Sequence, residues 1–353
     1  MPKNINKEIN LLYQQLYNEI CMTKFQEKLP TYRAFLQKYG CSRQVLNKTI
    51  LKLKEDNLIT VEDRVGIFAN IKNNNAKKKI VFAHVDWVCE HITFLGKEFA
   101  KFFTLDKNYI FNEITYAPGQ INILIDSLKN SNADLILLEL EDFDFESLNN
   151  LKQISDRTIF FESTPMLAKV KSIDFQPHYC GMLAAKHLLD LGHKDIALIV
   201  SEPRLFSNRE RIYGFLDYLK LHKIKPQIID CKIKSGFASA GNTIDFMNDY
   251  LDNNRINFTA CFALSDNTAK AVVDSLLCHN IRVPDDVSVI GWGGENITET
   301  TTPKLSAVAL DMNKIIKTTI QSVEQFFEHG KCGVKRIPPI LIQRESTKER
   351  IYL

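Results

Sequence analysis

The chain has 353 residues, 45% hydrophobic and 25% charged, which suits two or three folded domains and excludes a largely disordered protein. The formal net charge of +3 conceals an uneven distribution. Residues 1–79 hold 15 Lys/Arg and 7 Asp/Glu, a net of +8, whereas residues 80–353 hold 30 and 35, a net of −5. A basic segment on an acidic body favours a phosphate-binding head over a merely solvated lysine surface.

The eight cysteines are scattered and contain no C-x-x-C pair, which argues against a zinc site and against a disulfide framework. The first apolar residues are spaced as an amphipathic helix rather than as a signal peptide, and no run of 18 apolar residues occurs. These features predict a cytoplasmic protein without a membrane segment.

The first predicted helix covers residues 5–22, because its apolar residues recur on one helical face. Residues 29–70 then predict two short helices, a turn and a β-wing. Pro30 is suited to the first turn of one helix, Gly40 to the turn, and Ser42 to the N-cap of a second helix running to about Asp56.

That second helix has two unlike faces. Leu46, Ile50 and Leu53 would pack inward, whereas the outer face carries hydrogen-bond donors, namely Arg43, Gln44, Asn47 and Lys48. The runs LIT and GIFA predict two short strands joined by VEDRVG, with Arg64 near the tip of the wing and Gly66 at the turn. Residues 1–70 therefore read as a winged helix-turn-helix DNA-binding domain.

Residues 29–70 also resemble the GntR family. Its pattern is matched by Leu29, Pro30, Arg33, Gly40, Ser42, Arg43, Leu58, Ile59, Gly66 and Phe68. The sequence departs at Tyr32, which replaces an acid, and at Asn47, which replaces a frequent arginine. The resemblance implies phosphate anchoring through Arg33 and Arg43, and the expected DNA contacts are Arg33, Ser42, Arg43, Gln44, Asn47, Lys48, Arg64 and Gly66.

A polar, basic stretch at 71–79 is interpreted as a linker. Residues 80–353 alternate apolar strands with amphipathic helical segments, and the predicted strands begin near residues 80, 109, 133, 157, 171, 196, 226, 259 and 287. This alternation predicts an α/β fold with two doubly wound parallel sheets. Ligands of such sheets bind at the carboxyl ends of strands.

Several segments resemble the sensor domain of LacI/GalR regulators, which has the fold of periplasmic binding proteins. They are AAKHLLDLGHKDIALI at 184–199, RERIYGF at 209–215, ALSDNTAKAVVDSL at 263–276, IRVPDDVSVIGW at 281–292, TPKLSAVALDM at 302–312 and IPPILIQRES at 337–346. A GntR-type head on such a body resembles the arabinose repressor group. The resemblance implies a periplasmic-binding-protein-like domain of two subdomains, which senses an effector and dimerises.

Effector contacts are expected from the same comparison. The arginine of R-x-x-G-F is Arg211, which the family directs into the cleft; the alternative is a helix-surface salt bridge. Ser265 and Asp266 follow a strand, and Asp266 could instead be an N-cap. Phe237 occupies the place of a stacking aromatic, although core packing is an equal alternative.

Strand ends supply further candidates. Asp86 and Trp87 follow the first body strand, where Trp87 could stack on a ligand or form an apolar lid, and Asp174 ends the strand KSIDF. The resembling family often has an aspartate where this chain has Gly293, so Glu295 or Asn296 could take that place.

The expected function is a homodimeric transcriptional regulator, a repressor released from double-stranded operator DNA by a small sugar, arabinose-like or another monosaccharide. An activator, or a response to a non-sugar ligand, is the alternative. An α/β enzyme is a rival that leaves the basic head unexplained. The sequence contains no recognisable catalytic, phosphate-loop, cofactor or metal motif.

Overall fold

A computed structural model describes residues 5–21, 27–62, 65–70, 77–86, 89–106, 108–140, 145–161, 171–235 and 237–351. The chain divides into two compact units. One, the head, is Met1–Lys78 with Asp106–Ile110, and the other, the body, is Lys79–Leu105 with Phe111–Leu353. Within the described part of the chain, no helix combines the length and the apolar character needed to cross a membrane.

The head contains three helices followed by a pair of antiparallel strands. These elements are α1 (Ile5–Cys21), α2 (Tyr32–Tyr39), α3 (Arg43–Glu55), β1 (Ile59–Glu62) and β2 (Gly66–Ala69). A single β-bridge from Lys28 to Phe68 adds a short third segment to the strand pair. The predicted helices and both wing strands are therefore present. Pro30 lies outside α2, because Thr31 is the N-cap and its hydroxyl accepts the N–H of Ala34.

The turn between α2 and α3 has the predicted chemistry. Gly40 ends α2 in the left-handed conformation, with φ of 59°. Ser42 caps α3, and its Oγ accepts the N–H of Val45 at 3.3 Å. The inward face of α3 is buried, as predicted, and packs with α1 around a core of Leu12, Leu16, Ile20, Phe35, Leu46, Ile50 and Leu53.

The body has two six-stranded sheets, which define its two lobes. The first sheet has the order β13-β7-β6-β5-β3-β4 and consists of β3 (Lys78–Val85), β4 (Tyr109–Tyr116), β5 (Leu135–Glu139), β6 (Thr158–Phe161), β7 (Lys171–Asp174) and β13 (Val334–Arg336). The second has the order β14-β12-β11-β10-β8-β9 and consists of β8 (Ile196–Val200), β9 (Gln227–Asp230), β10 (Ala260–Ala263), β11 (Ser288–Gly293), β12 (Ser306–Ala309) and β14 (Ile340–Ile342).

Nine helices of the described body accompany these sheets. They are α4 (Glu90–Leu105), α5 (Ile121–Asn130), α6 (Phe145–Leu151), α7 (Pro177–Asp190), α8 (Phe206–Leu221), α9 (Ser239–Asn253), α10 (Asp266–Cys278), α11 (Ile297–Thr300) and α12 (Met312–His329). Pairing within the sheets is parallel at β3–β5, β5–β6, β6–β7, β8–β9, β8–β10, β10–β11 and β11–β12, and β14 runs antiparallel to β12. The predicted α/β class with parallel sheets is confirmed.

The chain passes between the lobes three times, after β7, after β12 and after β13. Helix α7 packs against β10 and β12 of the second lobe, whereas α12 returns to pack against α4 and β7 of the first. Two crossings are tied together where Asp174 Oδ2 lies 3.6 Å from Arg336 Nε and the Asp174 carbonyl accepts the N–H of Ile337.

All nine predicted strands are present, and three more were not predicted. Strands β12, β13 and β14 have only three or four residues, and β13 and β14 are largely exposed. Such short segments lack the apolar run that identifies a strand. Lys78 and Lys79, at the end of the predicted linker, already belong to β3, whereas residues 71–76 lie outside the described residues.

Helices α7 and α8 approach so closely that their backbones touch at two glycines. A Cβ built on Gly181 would lie 1.9 Å from the carbonyl oxygen of Arg211, and one on Gly214 would lie 1.8 Å from that of His178. Both distances are far below van der Waals contact, so no larger residue fits without separating the helices.

We expect Gly181→Ala to destabilise the protein by about 3 kcal/mol, because the new methyl group forces α7 away from α8. The matched control is Gly241→Ala in α9, where a Cβ meets nothing within 4 Å. That substitution should be neutral or stabilise by up to about 1 kcal/mol. Urea unfolding followed by circular dichroism measures both, and equal midpoints would contradict the close packing.

Candidate functional site

The first candidate surface is the outer face of α3. Arg43, Gln44, Asn47 and Lys48 are all exposed there, opposite the buried Leu46. Four side chains that can donate hydrogen bonds thus share the first two turns of one helix, with its inner face fixed by the core.

The other predicted DNA contacts lie around this helix. Arg33 is exposed on α2, Ser42 is the exposed N-cap of α3, and Gly66 begins β2. Arg64 lies outside the described residues.

The second candidate site is a cavity of about 630 Å³ between the two lobes of the body. It is lined by residues at or after the carboxyl ends of β3, β4, β5, β8, β9, β10 and β11, as the sheet rule predicts. The first lobe supplies Asp86, Cys89, His91, Pro118, Glu139 and Leu140. The second lobe supplies the larger set, which includes Glu202, Asn208, Arg211, Phe237, Ser239, Ser265, Asn267, Trp292 and Glu295.

A guanidinium stacked on an indole forms one wall of the cavity. Arg211, on α8, is only 4% exposed, and its Cζ lies 3.6 Å from the ring centroid of Trp292 at the end of β11. Its Nη2 donates a hydrogen bond to Asn208 Oδ1. Stacking and this hydrogen bond fix the plane of the guanidinium. Arg211 is therefore not the helix-surface residue of the alternative interpretation.

A half-buried carboxyl group faces the same space. Glu202, just after β8, accepts hydrogen bonds from Ser239 Oγ and Ser265 Oγ, each at 2.6 Å. Burial raises the pKa of Glu202, and the two serine donors oppose that shift. Glu202 is a hydrogen-bond acceptor held in place by two neighbouring elements, α9 and the N-terminus of α10.

The Asp266 carboxylate lies beneath the cavity and holds the loop after β11. It is fully buried, and its Oδ2 accepts the N–H of Glu295 at 2.7 Å. Burial raises its pKa to about 7, against the opposing effect of backbone donors. The N-cap of α10 is Ser265, not Asp266.

Gly293 also has a structural reason to lack a side chain. Its φ is 131°, and a Cβ there would lie 2.9 Å from Asp266 Oδ2. An aspartate at this position, as in many sequences of similar pattern, would be strained and would oppose the Asp266 charge. Glu295 instead lines the cavity, two residues further along.

Five of the eight predicted effector residues line the cavity, namely Asp86, Arg211, Phe237, Ser265 and Glu295. Phe237 is 64% exposed, so it is not a core residue. Asp266 lies below the surface, and Asp174 lies at the crossing between the lobes, where its Oδ1 accepts the N–H of Gln176 at 2.8 Å. Trp87 lies outside the described residues.

Two prominent residues of the cavity were missed by sequence reasoning, Glu202 and Trp292. Glu202 lies two residues after the end of the buried strand β8. The expectation that ligands bind at the carboxyl ends of strands, which identified Asp86, could therefore have identified Glu202 as well. Trp292 directly follows the strand predicted at 287–291, so the same expectation could have found it; in the structure it belongs to β11, which extends to Gly293.

The two lobes also contact each other at the mouth of the cavity. The Glu90 carboxylate accepts the N–H of Asn296 at 3.2 Å and also the Asn296 side-chain amide. His91 Nδ1 lies 3.8 Å from Glu295 Oε1, and the His91 ring meets the Trp292 ring edge-on at 5.5 Å. The first lobe thus reaches the second through the N-terminus of α4.

The body matches a known domain family. The model of the periplasmic binding protein-like domain matches residues 185–347, which include all of β8 to β14 and α8 to α12.

Similar curated proteins are transcriptional regulators. The HTH-type transcriptional regulator DegA of Bacillus subtilis is 27% identical over 244 residues, covering 66% of this chain and 69% of its own. The HTH-type transcriptional repressor PurR of Haemophilus influenzae is 25% identical over 236 residues, covering 65% of this chain and 69% of its own.

Similar solved structures share the fold. A LacI family transcriptional regulator from Enterococcus faecium with bound ribose superposes with a TM-score of 0.63 at 23% identity, over 78% of this chain and 100% of that one. The lac repressor dimer bound to operator and an anti-inducer gives 0.66 at 19% identity, over 77% and 94%. The body of this chain thus contains a periplasmic-binding-protein-like domain, and the curated proteins that it is similar to are transcriptional regulators.

Proposed function

We propose that the protein is a homodimeric repressor that a small neutral sugar releases from operator DNA. The observation that carries this proposal is the cavity between the lobes, where Arg211 stacked on Trp292 shares the lining with the half-buried carboxyl group of Glu202. Planar donors, fixed acceptors and aromatic faces are the chemistry that pairs of sugar hydroxyls and an apolar ring face require.

The lining charges favour a neutral ligand. Among the described lining residues, Asp86, Glu139, Glu202 and Glu295 carry carboxyl groups and Arg211 alone carries a guanidinium. A phosphorylated or acidic sugar would meet more groups of like charge than of opposite charge. An arabinose-like aldopentose or another monosaccharide fits the proposed pocket, with Arg211 donating to neighbouring hydroxyls and Ser265 and Glu295 as further contacts.

For the head, we propose a GntR-type winged helix in residues 1–70, joined by a linker at 71–79 to the effector domain at 80–353. This combination is the arrangement of the arabinose repressor group. Helix α3 would enter the major groove and present Arg43, Gln44, Asn47 and Lys48 to base edges and phosphates. Arg33, Ser42, Arg64 and Gly66 would contact the DNA backbone beside it.

The regulation follows from binding linkage. Two heads of a dimer would occupy adjacent major grooves of a palindromic operator, about 34 Å apart. A sugar that prefers one arrangement of the lobes biases the body toward that arrangement, and operator affinity falls if the heads are then poorly placed.

The test is fluorescence anisotropy of the purified protein on labelled DNA from upstream of its own gene, titrated with a panel of monosaccharides. We expect tight DNA binding, reversed by one sugar. Tight binding that no sugar alters would refute the sugar proposal. Absence of DNA binding would refute the assignment of the head as a DNA-binding domain.

Two variants in the same assay test the recognition helix. Arg43→Ala removes an exposed guanidinium from α3 and should weaken DNA binding by about 1–3 kcal/mol, roughly fivefold to 150-fold. Arg255→Ala removes an exposed guanidinium from the body and should leave DNA affinity unchanged. Equal affinities for the two variants would contradict the role of α3.

The sugar site is tested by Trp292→Phe, which keeps an aromatic ring against Arg211 and removes the indole N–H. That N–H is buried and has no acceptor among the described residues, so a ligand hydroxyl could accept it. We expect the substitution to weaken sugar binding about tenfold, the value of one hydrogen bond of about 1.4 kcal/mol, as measured by calorimetry.

The matched control for that experiment is Tyr213→Phe, which removes a hydroxyl from an exposed aromatic residue of α8. Its sugar affinity should equal that of the wild type, and neither variant should change DNA affinity in the absence of sugar. An unaltered sugar affinity in Trp292→Phe would exclude the indole as a ligand contact.

A further inference from the structure

The mouth of the cavity brings together three side chains of different chemistry, two of them neighbours in sequence and the third more than 200 residues away. Cys89 and His91 come from the first lobe, and Glu295 comes from the second. One potential ligand atom from each lies within 4.8 Å of the other two. The cysteine spacing predicted no zinc site, because Cys89 has no cysteine partner and the third group is more than 200 residues away.

We propose that Cys89, His91 and Glu295 form a three-ligand site for a divalent cation, with Zn²⁺ as the best match to its chemistry. A thiolate, an imidazole and a carboxylate are the ligand types that Zn²⁺ accepts together, and a hard cation such as Mg²⁺ avoids the thiolate.

Two of the three separations between the ligand atoms are close to those around a tetrahedral ion, and the third, from Cys89 to Glu295, is within 4.8 Å. Metal–ligand distances of about 2.0–2.3 Å place tetrahedral ligands about 3.3–3.8 Å apart. Cys89 Sγ lies 3.2 Å from His91 Nδ1, and His91 Nδ1 lies 3.8 Å from Glu295 Oε1. Cys89 Sγ is also 3.4 Å from His91 Nε2, so either ring nitrogen is near the thiol.

Each ligand is positioned by its neighbours. The Glu295 backbone is fastened by Asp266, and its Oε2 accepts a hydrogen bond from Asn267 Nδ2 at 3.1 Å. The His91 ring lies edge-on to Trp292. Supporting contacts of this kind orient metal ligands and are part of a built site.

The electrostatics of the cavity also favour a cation. Its described lining has four carboxyl groups and one guanidinium, so the space is acidic around the three ligands. His91 and Glu295 are only 11% and 13% exposed in their side chains, so bulk water screens the interaction weakly.

The arrangement gives the cation a function in regulation. Because two ligands belong to the first lobe and one to the second, a bound ion links the lobes at the mouth of the cavity. A site with three protein ligands leaves a fourth coordination position for water or for a ligand hydroxyl. The site therefore acts on the equilibrium between open and closed lobes, with or without a sugar.

The experiment uses the full-length protein after treatment with a chelator, with Co²⁺ and Zn²⁺ as probes and neither DNA nor sugar present. Wild type should bind one Co²⁺ per chain and develop the near-ultraviolet absorption band of thiolate-to-cobalt charge transfer. Cys89→Ser should lose that band and bind Zn²⁺ at least tenfold more weakly. Cys278→Ser removes an exposed thiol at the end of α10, and should behave as wild type.

A second variant tests the ligand from the other lobe. Glu295→Gln should keep the thiolate band and lower Zn²⁺ affinity at least tenfold, and Zn²⁺ should raise the thermal midpoint of wild type but not of this variant. Absence of stoichiometric binding, or a Co²⁺ spectrum unaffected by Cys89→Ser, would overturn the proposal. Because the readout is spectroscopic, its failure is distinct from failure of the proposed sugar response.

Discussion

The close contact of α7 and α8 fixes the position from which Arg211 extends its guanidinium into the cavity wall. Gly181 and Gly214 let the two backbones touch, and Arg211 extends from the same part of α8 to stack on Trp292. The Asp266 carboxylate, buried below, fastens the loop that carries Glu295. The second lobe thus holds its binding groups through packing and buried hydrogen bonds, which are costly to break.

The contacts between the lobes are of a different kind. Glu90 with Asn296 is an exposed polar contact at the mouth of the cleft, and contacts of this type contribute little where water reaches them. His91 and Glu295 are shielded from water, but their nearest atoms are 3.8 Å apart. The chain also crosses between the lobes three times. Asp174 and Arg336 form an ion pair beside the crossings that follow β7 and β13. A weakly closed cleft responds to whatever occupies it, because a ligand shifts the equilibrium by its difference in affinity for the two states.

Sequence reasoning succeeded where a residue's role depends on its own element. The two faces of α3 follow from helical periodicity, so the buried Leu46 and the exposed Arg43 were both predicted. It also placed Asp86, Arg211 and Ser265 at the cavity, because strand ends and a family pattern identify them. Short strands such as β13 have no such signal, since neighbours in the sheet rather than local sequence hold them.

The remaining features depend on contacts that one sequence does not display. The Asp266 carboxylate was expected to face the ligand, yet it turns inward because backbone donors after β11 meet it there. The stacking of Arg211 on Trp292 brings together two elements, α8 and β11. The grouping of Cys89 with Glu295 likewise arises only when the lobes meet.

The central claim is that binding of a ligand in the cavity and binding of operator DNA each weaken the protein's affinity for the other. The most direct measurement is calorimetric titration of the inducing sugar into free protein and into protein saturated with operator. Linkage predicts that operator weakens sugar binding by the same factor as sugar weakens operator binding, roughly 30-fold to 150-fold for a coupling of about 2–3 kcal/mol. Equal sugar affinities for the free and the DNA-bound protein would contradict the account.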